Sequence, residues 1–482
     1  LHLLSRRQRQ MCIRDRGYTM KINGTYLTVR EIYEAISNND ETLDGKEVII
    51  DGWVRTNRLM GNLGFISFND GTCFKCAQLV YNSNLDNFEL ANKSKLGQAI
   101  SIEGIVHLTP SGKQPFEIEL TKYVLVGDVD ESYPLQKKKT SFEYLRTIPH
   151  LRPRANTFTA LYRVRSVLAF AIHEFFQGEG FIYVHTPIFT SNDCEGAGQA
   201  FKISTGDKNP DEFFGKPVTL TVSGQLHVEP LALTFRDVYT FGPTFRAEKS
   251  STTRHAAEFW MVEPEIAFAD IYDDIDLMED FMKYIVKYVL TNCPDEMAFF
   301  DQRIEPGLLN KLNDFVNKEY EIVSYDDAIN ILLDAQKKGV KFENSDIKWG
   351  MDLMSEHERF IVEKTFNCPV FLINFPKDIK AFYMKQNPDG KTVAGVDLLV
   401  PGIGEICGGS EREADFNKLK ARIDELGLDE KAYEWYLDTR RYGGCPHAGF
   451  GLGFDRLLMF ITGMENIRDV EIYPRTYKEI KY

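Results

Sequence analysis

Three separated stretches of the chain carry charged and glycine residues in patterns suited to a polyphosphate. The first is Phe245-Arg246-Ala247-Glu248, followed closely by Arg254-His255 and Glu258-Phe259. A single Arg–Glu pair in a strand ordinarily reads as a structural ion pair. A second arginine, a histidine and an aromatic ring nearby turn the stretch into a polyphosphate clamp. Strand alternation places Arg246 and Glu248 on one face. The second stretch is Gly404-Glu405-Ile406-Cys407-Gly408-Gly409-Ser410-Glu411-Arg412. Its glycines permit close backbone approach by a ligand, and Glu405 is an oxygen donor for a divalent cation. The third is Gly449-Phe450-Gly451-Leu452-Gly453-Phe454-Asp455-Arg456. Here alternating glycines clear space beside a strand that then feeds a helix carrying Arg456. Glycines in a strand more often mark a bulge, so each stretch is weak evidence alone.

The chain contains no GxGxxG or GxxxxGK[ST] loop, so any nucleotide site must be assembled from such scattered groups. Its 482 residues call for two or three domains, and 43% apolar residues supply the cores. Nothing approaches the apolar run needed to span a membrane. Eight scattered cysteines suit a reduced, cytoplasmic protein, and the lone CxxC at Cys73–Cys76 has no second half to make a zinc site. A net charge of −14 excludes histone-like nucleic-acid binding but leaves room for a local basic patch.

The elements that must position these groups follow from texture. Residues 1–19 hold five arginines and one aspartate, and Met20 opens a more ordinary sequence. We expect this leader to be non-native and set it aside, with a short helical segment over 20–44. From 45 to 128, VIIDGWV, GFISFNDG, KCAQLVY, AISIEGIV and FEIELTKYVLV are β-rich runs separated by turn residues. Five such runs predict a barrel of the OB type, a common reader of single-stranded nucleic acid. Residues 129–153 form a charged connector containing Lys137, Lys138 and Lys139. From 154 onward a helix over about 160–180 is followed by TLTVSGQLHV, VYTFGPTFRAE and EFWMVEPEIAF, read as strands. Helical stretches at 270–292 and 411–441 break any βαβ alternation. The expected fold class is therefore α+β, an OB-type barrel followed by an antiparallel β-sheet flanked by helices.

In this order, the barrel and the three stretches resemble the class II aminoacyl-tRNA synthetases, in particular the aspartyl, asparaginyl and lysyl subgroup. The resemblance runs from about residue 45 to the end of the chain. It makes 160–190 motif 1, 241–265 motif 2 and 447–475 motif 3, and it implies a homodimer joined through motif 1. It implies ATP and Mg²⁺ as cofactors, with Arg246 on the α-phosphate and Arg254 and Arg456 on the γ-phosphate. Phe259 would stack on adenine, Glu405 would coordinate the metal, and Glu248, His255 and Gly453 would complete the ATP site. Catalysis would then be positioning and charge stabilisation, since the amino acid's own carboxylate attacks the α-phosphate.

For the amino acid, the resemblance assigns Glu195, Ser223 and Gln225 to the substrate backbone and Arg412 to its side chain. Aspartyl relatives add a lysine where this chain has Val228, and Glu229 here brings the opposite charge. One arginine and one glutamate match a neutral amide, so L-asparagine is the expected substrate and tRNA(Asn) the expected partner. An aspartate-activating enzyme is the alternative. His227-Val228 and Asp455 depart from the subgroup's usual Asn-Gly and Glu. In the barrel, Phe65 and Gln78 match positions that read the central anticodon base, with Arg55, Arg58 and Lys113 toward phosphates or flanking bases. A non-catalytic RNA-binding relative would have no use for Arg246, Glu405, Arg412 and Arg456, and an amidating relative would have no use for the barrel.

Overall fold

The structure is a computed structural model that describes residues 26–136, 140–192, 199–206 and 213–482. The chain divides into two compact units, Leu1–Thr140 and Ser141–Tyr482. Lys137 to Lys139, Glu195 and the leader lie outside the described residues.

In the first unit, β1 (Glu47–Met60), β2 (Leu63–Asn69), β3 (Ala77–Asn82), β4 (Ala99–Leu108) and β5 (Phe116–Gly127) close into a barrel of order β1-β2-β3-β5-β4. Alternation drives closure: Val48, Ile50, Val54, Ile66, Phe68, Leu79, Ile100, Ile102 and Ile118 all turn inward and are buried. Gly64 is required because a Cβ there would collide with the Tyr81 ring, whose hydroxyl donates to Asn57. The helix Val29–Ser37, started by a Thr28–Glu31 capping box, lays Val29 and Ile32 on the same core.

The second unit is built on an eight-stranded sheet. Its strands are β6 (Ile182–Tyr183), β9 (Asp237–Phe245), β10 (Glu258–Ala267), β11 (Glu321–Ser324), β12 (Val370–Pro376), β13 (Thr392–Val400), β14 (Gly404–Glu411) and β15 (His447–Gly453). Between β6 and β9 in sequence, β7 (Phe189–Thr190) and β8 (Thr219–Leu220) form a separate ribbon. The order β11-β12-β13-β14-β15-β10-β9-β6 is antiparallel except for the two edge pairs. One face is covered by the helix Ile271–Asn292, which packs on β13, β14 and β15. The helix Asn156–Gly178 packs on that helix in turn.

One expected strand is absent. TLTVSGQLHV yields only the two residues of β8, and Gln225–Phe235 is a helix. The cause is local and long-range at once. The Thr221 hydroxyl turns the chain onto Ser223, the Ser223 hydroxyl accepts the Gln225 amide, and Glu263 of β10 accepts the Gly224 amide at 2.8 Å. Those contacts satisfy the first orphan N–H groups of a helix, which alternation alone cannot foresee.

Candidate active site

The pleat and register of the second sheet define one working face. Asp397 of β13 stands opposite Gly408 of β14, and Gly408 stands opposite Gly451 of β15. Glu265 of β10 pairs with Gly449, and Met261 with Gly453. These glycines form a floor without side chains of its own, beside which Glu265 crowds Gly449, Met261 crowds Gly451, and Glu405 and Asp397 approach Gly408.

At the end marked by Phe259 and Gly453, cations gather. Arg246 lies just past β9, its guanidinium 5.3 Å from the centre of the Phe259 ring, and its buried Nε has no hydrogen-bond partner among the described residues. The regular strand ends at Phe245, one residue before Arg246. Glu248 reaches the His255 ring at 3.7 Å from within the loop. Arg254 donates to the carbonyls of Gly402 and Ile403 and to the Ser355 hydroxyl. Burial, then the nearby Arg456, push the pKa of Arg254 down. The same two causes lower His255 and keep its ring neutral near pH 7. Like charges crowded this way are a setting for polyanions.

Beside them three carboxylates converge. β14 has an irregularity at Ile406, where Leu398 pairs with Cys407 but Leu399 pairs with Glu405. That extra residue turns Glu405 onto the face of Asp397. A Cβ built on Gly408 would lie 2.9 Å from Glu405 Oε1 and 3.3 Å from Asp397 Oδ1, so both oxygens point at one spot. Glu358 accepts the Glu405 amide at 3.0 Å, and Lys380 donates to Asp397 at 2.7 Å. Burial, then Glu405, raise Glu358 to about 8. Burial, opposed by Lys380 and reinforced by Glu405, raises Asp397 to about 7. Hard oxygen donors this close favour a divalent cation. Asp397, Glu358 and Lys380 escaped the sequence reading. An acid inside the otherwise apolar run Val396–Val400 was the available signal.

The opposite end is arranged differently. Arg412 forks onto Glu265 through Nε and Nη2, both at 2.9 Å, and donates from Nη1 to Ser410 at 2.8 Å. Its remaining N–H groups are on the guanidinium edge away from Glu265. Glu229, fully buried on the helix Gln225–Phe235, accepts from Gln225 at 3.1 Å, Tyr436 at 2.8 Å and Arg440 at 2.9 Å. His447 Nε2 lies 2.8 Å from the same carboxylate, while Nδ1 lies 2.8 Å from the Cys445 carbonyl. Although burial alone would raise Glu229, Arg440 and His447 outweigh it and hold the carboxyl well below its ordinary value.

Glu229, Glu265 and His447 are, among the described residues, a group of three whose ligand atoms all lie within 4.8 Å of one another. Since both carboxylates already meet guanidinium groups, the cluster is an ion-pair network. Val228 is buried against Ala232 and Val238 and contributes packing only. Ser223 is committed to Glu263, His227 stacks on Trp435, and Asp455 accepts from Arg165 and the Trp260 amide. On the barrel, Phe65 and Gln78 lie on the outer face of β2 and β3. Arg58 covers the Phe65 ring at 5.1 Å, Gln78 donates to Glu117 at 2.5 Å, and Arg55 occupies a register shift in β1.

A glycine floor on an antiparallel sheet, arginines at one end and a paired side-chain pocket at the other, is the arrangement of class II synthetases. Residues 142–477 match the family described as tRNA synthetases class II (D, K and N), and residues 48–126 match the OB-fold nucleic acid binding domain. The chain belongs to this class II family. An asparagine–tRNA ligase of Clostridium beijerinckii is 54% identical over 462 residues, 93% of this chain and 98% of its own length. The asparaginyl-tRNA synthetase of Pyrococcus horikoshii in complex with asparaginyl-adenylate superimposes with a TM-score of 0.84 at 34% identity, covering 96% of this chain and 100% of its own. The Entamoeba histolytica enzyme with the same adenylate gives 0.79 at 26% identity, covering 91% and 97%.

Proposed function

We infer that this chain ligates asparagine to tRNA(Asn), using ATP to form asparaginyl-adenylate before transfer to the 3′-terminal ribose hydroxyl. The observation that carries the reading is the contrast along one sheet face. Arginines without carboxylate partners among the described residues gather at one end, and an arginine and a glutamate, each already neutralised, lie at the other.

Arg246 binds the α-phosphate and stabilises charge as the asparagine carboxylate attacks, while Arg254 and Arg456 hold the γ-phosphate. Phe259 offers a face to adenine, and Glu248 and His255 complete the clamp. Asp397 and Glu405, with Glu358 beside them, fit Mg²⁺, which when bound neutralises phosphate charge. No side chain acts as nucleophile, so the residues work by orientation and by fixed charge. Arg412 donates its outer N–H edge to the side-chain oxygen. The substrate NH₂ replaces the Gln225 amide on Glu229, a like-for-like exchange that leaves the charged partners in place. An aspartate would set a second carboxylate against Glu229, a strong basis for rejection.

Exposed Phe170, Ile182, Ile188 and Phe189 in the motif 1 region support a homodimer. No described helix is long and apolar enough to cross a membrane. Cys293 and Cys407 are buried thiols, in keeping with a reducing cytoplasm where tRNA is charged.

ATP–pyrophosphate exchange with asparagine and aspartate side by side tests the reading. Exchange with asparagine is expected, and exchange with aspartate alone would overturn it. For the barrel, Phe65→Ala is expected to lower tRNA charging about tenfold while exchange is unchanged, as loss of one base–aromatic stack predicts. Undiminished charging would remove Phe65 from the anticodon site.

A further inference from the structure

The contacts of Glu229 reach beyond the sheet. Tyr436 and Arg440 both come from the helix Glu430–Arg441, and its Trp435 stacks on His227, two residues before Glu229. Arg440 is itself held on every side. Its Nε donates to the Glu413 carbonyl at 2.9 Å, its Nη1 to Thr439 at 2.8 Å, and its Nη2 to Glu229 and to the Tyr436 hydroxyl, both at 2.9 Å. The guanidinium carbon stands 4.1 Å from the centre of the Tyr436 ring. The side chains of Arg440 and Glu229 are both 0% exposed. A planar fork spreads its N–H groups over a carbonyl, hydroxyls and a carboxylate on different sides, whereas a lysine directs all three of its N–H groups from one nitrogen. Rotation of Glu229 would strand Arg440 as a buried, uncompensated cation, so the two side chains fix one another.

We propose that Arg440 is a positioning residue for amino-acid selection: it holds Glu229 in one rotamer, and acts on the substrate only through Glu229. This rests on the reading that Glu229 faces the substrate side chain. The helix Glu430–Arg441 is therefore part of the discriminating apparatus, through the contacts of Arg440 and Tyr436 with Glu229. His447 and Tyr436 face the same carboxylate, and Arg412, Glu265 and Asp274 lie behind them. Arg440 differs from these in being both permanently charged and anchored to the backbone of a separate segment, at Glu413.

The test is a double-mutant cycle on asparagine-dependent ATP–pyrophosphate exchange with Arg440→Met, Glu229→Gln and the double variant, plus Arg440→Lys. Arg440→Met and Glu229→Gln are each expected to raise KM for asparagine about tenfold or more, with KM for ATP within about twofold of the parent. The double variant should be no worse than the worse single, because the two act as one unit. Arg440→Lys, which keeps the charge and is the safer variant to fold, should raise KM for asparagine severalfold, partway to the methionine variant. Losses that multiply in the double variant would overturn the proposal. So would a KM for ATP that rises in step with that for asparagine, which marks a merely structural role, or a silent Arg440→Lys. Absence of asparagine exchange in the unmodified protein would sink the functional reading itself. Additive losses on an active parent would sink only the role of Arg440.

Discussion

The two ends of the glycine floor use arginine in opposite ways. Arg254 spends its donors on two carbonyls and a hydroxyl, and Arg246 leaves its buried Nε without a partner among the described residues. Arg412 and Arg440 are each locked to a buried carboxylate, and their pKa values rise where that of Arg254 falls. The difference is one of ligand charge. Cations that the protein leaves uncompensated are set for an anion, whereas cations it neutralises itself present directional N–H groups to a neutral amide. Specificity for a small uncharged side chain therefore comes from charge cancelled in advance, and affinity for a nucleotide from charge left over.

The most damaging way to probe this contrast is Arg246→Ala. Exchange is expected to fall on the order of a hundred- to a thousandfold with the melting temperature retained, since the side chain stabilises developing charge and no protein carboxylate depends on it. Near-normal exchange would remove Arg246 from the phosphate end. At the other end, Arg412→Lys should cost on the order of a hundredfold in kcat/KM for asparagine. Here the melting temperature should also drop, because Glu265 loses a bidentate partner inside the protein. A variant that kept its stability would break the comparison. A gentler test is salt. Raising KCl from about 0.05 to about 0.5 M should increase KM for ATP severalfold and leave that for asparagine nearly unchanged, because buried pairs are little screened. Equal sensitivity of both constants would show that the two ends do not differ as described.

Much of this was legible in the sequence. Five alternating runs specified the barrel, and the glycine patterns at 404–412 and 449–456 marked the floor. Legibility failed wherever a partner lay far along the chain. Arg412 and Glu265 are 147 residues apart, and Glu229 and Arg440 are 211 apart, so neither pair leaves a local trace. Sequence order offered Glu405 alone, and only the irregularity at Ile406 brings it to Asp397. The helix Gln225–Phe235 was missed for a related reason. Its first turn is fixed by Glu263, 39 residues along the chain from Gly224.

The smallest expected effect on activity tests the rule of cancelled charge on its other side. Asp274, in the first turn of the helix Ile271–Asn292, is fully buried under Gly409, where a Cβ would lie 2.7 Å from its Oδ2, and neither carboxyl oxygen has a hydrogen-bond partner. Burial pushes its pKa well above the ordinary 3.8, against the pull of Arg412 and with a further push from Glu265. With Arg412 and Glu265 already matched, a third charge beside them has no counterion, so the fold favours the protonated form of Asp274. An unfolded chain releases that proton above pH 3.8 while the folded one retains it. The group therefore costs stability progressively as pH rises from there toward its folded pKa. Asp274→Asn removes this slope without removing volume. Its stability relative to the parent should improve with pH, by up to about 1.4 kcal/mol per pH unit, with exchange activity close to that of the parent. Denaturant midpoints measured for both proteins at several pH values between 5 and 8 check this. Parallel curves would mean that Asp274 is ionised in the fold and that Arg412 serves two carboxylates, which would end the simple pairing on which the contrast between the two ends depends.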